Sequence, residues 1–190
     1  MRAVSGFKLS LKQQPSLKMD IHLPSFFLFM VYVNAMLAVS FIVAAIGAQK
    51  DLRLWAGALV LHLVGYLALA LRSEIPELLY VVLANLAFGG LLSLFLVGVN
   101  RLRGKPSGAQ WTVWPVVAMG GLAVTVPDFG IRTVLISAVM LLQAILLLHA
   151  TVGYRREGGG RRGAELLIAG ALIWSAAPIV RISAEVFGWV

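Results

Sequence analysis

The chain has 190 residues with a formal net charge of +8, 60% hydrophobic side chains and no cysteine. The absence of cysteine excludes disulfides, thiolate metal sites and cysteine nucleophiles. The hydrophobic content, without any long hydrophilic segment, predicts one domain whose solvent is the lipid bilayer. The basic residues flank apolar stretches without aromatic residues among them, so we expect them to meet anionic lipid headgroups and no nucleic acid.

Six apolar stretches follow one another along the chain and predict an all-α fold, a polytopic bundle of transmembrane helices. Most of them approach the ~20 residues that a helix needs to cross ~30 Å of hydrocarbon. The fourth stretch is the shortest. The predicted spans are 25–47, 54–71, 78–99, 111–126, 131–153 and 166–187.

The basic residues between these spans fall in alternate connections, whereas residues 73–77 and 127–130 contain no Lys or Arg. By the positive-inside rule the basic connections are cytoplasmic, so the N-terminus and Val190 are predicted to be extracytoplasmic. The basic residues concerned are Lys50, Arg53, Arg101, Arg103, Lys105, Arg155, Arg156, Arg161 and Arg162.

Residues 1–18 conflict with this orientation, because they would place several basic side chains on the outer side. They are polar and lack the apolar core of a signal peptide. We expect residues 1–18 to be a disordered head or a mis-assigned start, with Met19 as the true start and the membrane domain at residues 19–190.

Strongly polar side chains within the predicted helices gather near the extracytoplasmic ends. Such groups are costly in hydrocarbon and usually face the bundle interior with a partner. One interpretation is structural: Arg181 pairs with Glu185, Asp128 pairs with Arg132, and Asn85 holds two helices together. The other is a water-accessible pocket that binds a small anionic or carbonyl-bearing ligand, chiefly through Arg181. The candidate ligand-binding residues are Tyr66, Tyr80, Asn85, Asp128, Arg132, Arg181 and Glu185.

Other motifs are interpreted as structural. His62 is expected to stack or to be hydrogen-bonded, since no second histidine at its depth could complete a haem or metal site. Gln143 is expected to join helices, and Gly89-Gly90 to allow a bend or a tight crossing. The G-x-G-x-x-G match at residues 158–163 lies in the loop 153–163 between two membrane helices, where a flexible basic linker is expected rather than a dinucleotide site. We predict no catalytic residues, metal or cofactor.

Polar motifs at the helix ends carry a resemblance to a known family. They are Leu71-Arg72-Ser73-Glu74-Ile75-Pro76-Glu77-Leu78 ahead of Asn85, Arg101-x-Arg103-Gly104-Lys105-Pro106, Pro127-Asp128 followed by Arg132, and Arg181. With these motifs, residues 19–185 resemble the N-terminal multi-helix sensor region of bacterial membrane diguanylate cyclases, the GGDEF-domain proteins.

In that family a seventh helix and a linker lead into a cytoplasmic GGDEF domain, which condenses two GTP into cyclic di-GMP. This chain stops at Val190, ahead of that helix. The resemblance therefore implies a homodimeric sensor in a bacterial inner membrane that has no catalysis of its own, and in which a ligand shifts helix packing to signal across the membrane. A small-molecule transporter or channel subunit is the alternative.

Overall fold

The computed structural model describes residues 23–47 and 52–187, and this part of the chain is all-α, without a strand. Five of its helices are long and apolar enough to cross a membrane, so the predicted fold class is confirmed. The helices are α1 (Leu23–Gly47), α2 (Leu52–Ala70), α3 (Glu77–Leu102), α4 (Ala109–Thr112), α5 (Trp114–Thr125), α6 (Phe129–Arg156) and α7 (Arg161–Phe187).

The fourth predicted stretch differs from the other five. It forms the short helix α4 and the 12-residue helix α5, with a break at Val113. Pro115 lies in the first turn of α5, where its missing N–H does not disturb the helix. The same proline cannot lie inside a helix without breaking a hydrogen bond, so α4 does not continue into α5. At 1.5 Å per residue, α5 is about 18 Å long and shorter than the hydrocarbon core.

Helix α3 is the centre of the bundle, because it packs against α2, α5 and α6. Helix α1 packs mainly on α2, and α7 mainly on α6, so these two lie at the periphery. Large apolar side chains such as Ile46, Leu166 and Ile173 are exposed on α1 and α7. Exposed apolar surface of this kind suits a helix surrounded by lipid.

The glycine pair of α3 allows a tight crossing on two sides. A Cβ atom added at Gly89 would lie 2.9 Å from Met119 Sδ of α5, and one added at Gly90 would lie 2.8 Å from Leu61 Cδ1 of α2. Both distances are shorter than van der Waals contact. Of the two predicted roles, close approach of neighbouring helices is therefore the one that is found.

The connections alternate between two ends of the bundle. We call the end that contains connections 103–108 and 157–160 the basic end, and the end that contains connections 71–76 and 126–128 the opposite end. The predicted head at residues 1–18, the start at Met19 and the further helix after Val190 lie outside the described residues.

Candidate functional site

A cavity of about 310 Å³ lies at the opposite end of the bundle, between all five long helices. Four of the seven predicted binding residues line it: Tyr80, Asn85, Arg132 and Arg181. Arg72, which follows α2, also lines the cavity and was not among the predicted residues. We call this space the arginine cavity. The other lining residues are Phe27, Leu69, Val81, Ala84, Phe88, Phe129, Thr133 and Ile136.

Arg181 reaches the arginine cavity from α7 without a carboxylate partner. The predicted ion pair with Glu185 is not formed: within residues 23–47 and 52–187, no carboxylate lies within 4.0 Å of the Arg181 guanidinium. The carboxylate of Glu185 lies instead beside the start of α6, where a Cβ added at Gly130 would be 3.2 Å from Glu185 Oε2. Arg181 therefore makes no direct ion pair among the described residues, although the negative charge of Glu185 attracts it over a longer distance.

The second predicted ion pair, Asp128 with Arg132, is also not the one observed. Asp128 caps α6, because its Oδ1 accepts a hydrogen bond of 2.7 Å from the backbone N–H of Ile131. A carboxylate in this position satisfies an unpaired amide and meets the positive end of the helix dipole. Arg132 pairs with Glu77 at the start of α3, with 3.2 Å between Nη2 and Oε1, and its guanidinium lies over the ring of Phe129.

The arginine cavity has positive charge and apolar walls. Three guanidinium groups line it, and no carboxylate is among its lining residues. The one ion pair found among these arginines, Arg132 with Glu77, uses a glutamate whose side chain is 66% exposed and therefore weakly neutralising. Guanidinium groups bind carboxylate and phosphate through paired hydrogen bonds. The three arginines and the phenylalanine rings of the cavity together suit a small anion that has an apolar part.

In the structural interpretation Asn85 holds two helices together, but its amide Nδ2 donates to the carbonyl of Val81 in its own helix at 2.7 Å. This local bond uses one of the two amide hydrogens. The amide therefore lines the arginine cavity from a fixed position on α3. Its contribution to any ligand is hydrogen bonding without charge.

Three predicted binding residues lie outside the arginine cavity. Tyr66 lies beneath it, with its ring centroid 6.3 Å from that of Phe27 and 5.4 Å from that of Phe88. Asp128 and Glu185 line a separate open depression on the outer side of α6 and α7. All three lie towards the same end of the bundle as the arginine cavity, but their side chains do not line it.

An aromatic cluster of Phe27, His62, Tyr66, Phe88 and Trp174 joins α1, α2, α3 and α7 below the arginine cavity. The His62 ring centroid lies 4.7 Å from that of Tyr66, 5.0 Å from that of Trp174 and 6.0 Å from that of Phe88. The stacking role predicted for His62 is therefore confirmed. No group of three metal-ligating side chains is found among the described residues.

Gln143 joins helices in the bundle core, as predicted. Its Nε2 donates to the carbonyl of Gly89 at 3.1 Å and to Ser93 Oγ at 3.0 Å. Ser93 Oγ in turn donates to the carbonyl of Thr112 at 2.6 Å, beside the break between α4 and α5. This buried network therefore ties α6 to α3 and to the broken fourth span.

At the basic end, the carboxylate of Glu157 brings two basic side chains together. Arg103 forms a bidentate pair with Glu157, in which Nε and Nη2 each lie 2.9 Å from a carboxylate oxygen, and Lys105 Nζ lies 2.5 Å from Oε1. Gly153 leaves the space for this guanidinium, since an added Cβ would lie 2.5 Å from Arg103 Nη2. The flexible linker predicted around residues 153–163 is wrong in length: α6 ends at Arg156 and α7 begins at Arg161, which leaves a four-residue turn.

These hydrogen bonds from Arg103 and Lys105 lower the pKa of Glu157 from 4.5 to about 2, and the same contact raises the pKa of Arg103. A carboxylate with a depressed pKa stabilises the fold above its unfolded pKa and loses this effect as pH falls through the folded value. We expect the stability difference between wild type and Glu157→Gln to be constant from about pH 7 to pH 5 and to shrink from about pH 4.5 towards pH 2. Thermal unfolding of both proteins across this range measures it, and a difference that grows on acidification would contradict the pairing.

Comparison of the chain with protein-family models, with curated proteins and with solved structures finds no match. The resemblance to the sensor region of membrane diguanylate cyclases therefore stays a prediction.

Proposed function

We propose that this chain is a membrane-embedded sensory module that binds a small anionic ligand in the arginine cavity. The observation that carries the proposal is the guanidinium of Arg181, which has no carboxylate within 4.0 Å among the described residues and lines a space of about 310 Å³ that has no carboxylate in its lining. An unpaired charge at membrane depth is costly and is usually retained for function. The volume lies at the lower end of the range for small-molecule sites.

A sensory role, rather than simple binding, is supported by the position of the cavity. Its lining residues come from α1, α2, α3, α6 and α7, although α1 and α7 each pack mainly on a single neighbour. A ligand in the cavity bridges helices that otherwise make few contacts with one another. Such a ligand favours the packing in which all of these contacts are made, and it shifts the equilibrium by its difference in affinity for the two packings.

The orientation and the output are part of the proposal. The positive-inside rule supports a cytoplasmic basic end in a bacterial inner membrane, so that the arginine cavity opens to the extracytoplasmic side. The resemblance to diguanylate cyclase sensor regions supports a homodimer that signals to an attached or separate cytoplasmic partner. The coding sequence after Val190 tests whether the cytoplasmic partner is attached to this chain. If it is attached, we expect another apolar helix and a G-G-[DE]-E-F motif there.

The function is tested with the protein in liposomes, using succinate, benzoate and octanoate as probes. The chain has no cysteine, so spin labels on Ser40→Cys of α1 and Ala169→Cys of α7 report one distance by electron paramagnetic resonance. We expect at least one probe to raise the unfolding temperature and to change this distance, without entry of the radiolabelled probe into the vesicles. An impermeant maleimide should label Ser73→Cys and not Gly160→Cys from outside intact cells.

The outcomes separate the proposal from its alternative. Probe uptake above that of empty vesicles would favour the transporter or channel subunit. If a probe binds without any change in the distance between α1 and α7, the chain is a binding protein without a sensory role. Labelling of Gly160→Cys alone would reverse the orientation.

A further inference from the structure

A second cavity, of about 140 Å³, lies at the basic end of the bundle and has no part in the function proposed above. It is enclosed by the end of α3, the connection to α4, α4 itself and the last turns of α6. Its polar lining comes from Asn100, Arg103, Ser107 and His149, and Trp111 forms one edge. No carboxylate is among its lining residues. We call it the basic-end pocket.

Two groups in the basic-end pocket have hydrogen-bonding capacity to spare. Ser107 Oγ is buried and has no hydrogen-bond partner within the described ranges. A buried hydroxyl without a partner destabilises a fold unless a ligand or water completes it. Arg103 uses Nε and Nη2 for Glu157, and since a guanidinium carries five N–H donors, its Nη1 group remains for another acceptor.

The surrounding charge favours an anion. The described connections and helix ends here contain eight basic residues, against the two carboxylates of Glu157 and Glu165. The basic residues are Arg53, Arg101, Arg103, Lys105, Arg155, Arg156, Arg161 and Arg162. Eight positive and two negative charges leave a local formal charge of +6. A volume of about 140 Å³ exceeds the ~10–15 Å³ that one water needs several-fold, so it has room for a small group such as a phosphate.

The position of the pocket indicates where that phosphate comes from. Trp111 borders the pocket with 48% of its surface exposed, and Trp114 nearby is 64% exposed. Exposed tryptophans at a helix end are typical of the headgroup level of a bilayer. Basic pockets between membrane helices at this level suit the headgroups of anionic lipids.

We propose that the basic-end pocket binds the phosphodiester of an anionic lipid headgroup, with Ser107, Arg103 and His149 as its contacts. The acyl chains of that lipid lie along the exposed apolar surface beside Trp111. Because the pocket joins α3, α4 and α6, the bound headgroup also fastens the broken fourth span to the bundle core.

The test uses the full chain, stripped of lipid in detergent, with binding of dioleoyl-phosphatidylglycerol measured by native mass spectrometry. The pocket variants are Ser107→Val, which removes the hydroxyl and fills the space, and His149→Leu. Arg156→Gln is the control, since it removes a charge at the same end without lining the pocket. We expect an apparent Kd about ten-fold or more weaker in both pocket variants, and a change within about two-fold in the control.

Each outcome decides for or against the proposal. Equal affinity of wild type and pocket variants overturns it, as does equal binding of dioleoyl-phosphatidylcholine. A third outcome is that inorganic phosphate raises the unfolding temperature of wild type but not of His149→Leu, while phosphatidylglycerol has no effect. This result would show that the pocket binds free phosphate, and it would overturn the lipid source. If Ser107→Val fails to fold, the lipid affinities of Ser107→Ala and of His149→Leu, whose side chain is exposed, are compared with that of wild type instead.

Discussion

Replacing Arg181 with methionine is expected to weaken binding of a carboxylate probe by roughly 10- to 100-fold, because a charge-assisted hydrogen bond contributes about 1.5–3 kcal/mol. Methionine keeps most of the length and the apolar stem of the arginine, so the cavity walls change little. Binding is measured by titrating benzoate or succinate against the unfolding temperature of the purified protein. The same variant should lose the change in the α1 to α7 distance.

Stability separates a binding role of Arg181 from a structural one. Because no carboxylate lies within 4.0 Å of Arg181 in the described part of the chain, its removal breaks no direct ion pair and costs only the longer-range attraction to Glu185. We therefore expect the unfolding temperature without ligand to be unchanged or higher. Glu185→Gln is the matched control from the same helix, since Glu185 lies outside the cavity, and its affinity should stay within about two-fold of wild type. A fold that collapses in Arg181→Met, or affinity that survives it, would contradict the assignment.

The depth of the candidate site could be predicted from the sequence, but its composition could not. A helix rises 1.5 Å per residue, so the sequence fixes how far Asn85, Arg132 and Arg181 lie from the helix ends. The neighbour that each side chain faces depends on how its helix is rotated about its own axis. The sequence does not reveal this rotation, because apolar residues are spread evenly around a membrane helix. For this reason Glu185 and Tyr66 lie towards the same end of the bundle as the arginine cavity but do not line it.

The Asp128–Arg132 pair of the structural interpretation does not form, because a local bond competes with it. Asp128 precedes a helix start at Phe129, and its carboxylate satisfies the amide of Ile131. That leaves Arg132 for Glu77, which is 55 positions away in sequence but adjacent in the fold. The capping role of Asp128 could have been predicted from the Pro-Asp-Phe-Gly turn. The pairing of Arg132 with Glu77 could not, because it depends on how α3 and α6 pack.

The basic end offered one sequence signal that could have corrected the predicted linker. Glu157 is the acidic residue between Arg155-Arg156 and Arg161-Arg162, and a single carboxylate among so many cations is a natural ion-pair partner. Gly153 then marks the point where the Arg103 guanidinium crosses α6. The glycines at 158–160 form the turn itself, with Gly158 at φ +89°.

Substituting alanine for Gly65 is expected to lower the free energy of unfolding by about 1–2 kcal/mol, although alanine is the better helix former. A Cβ at Gly65 would lie 2.6 Å from Phe88 Cε1 and 2.9 Å from Phe88 Cζ, so the ring has to move. Phe88 belongs to the aromatic cluster and to the wall of the arginine cavity. We therefore expect weaker probe binding together with the loss of stability, measured by chemical unfolding in mixed micelles.

Gly170→Ala is the matched control, because an added Cβ at Gly170 meets no atom within 4 Å. It should leave stability unchanged or raise it by up to about 1 kcal/mol, the ordinary gain from replacing a helical glycine. The double variant Gly65→Ala with Phe88→Leu tests the cause, since a smaller side chain at 88 relieves the clash and should recover part of the stability. Equal effects of alanine at both glycines would show that Phe88 does not limit this helix crossing, and the aromatic cluster would then not couple α2 to the cavity wall.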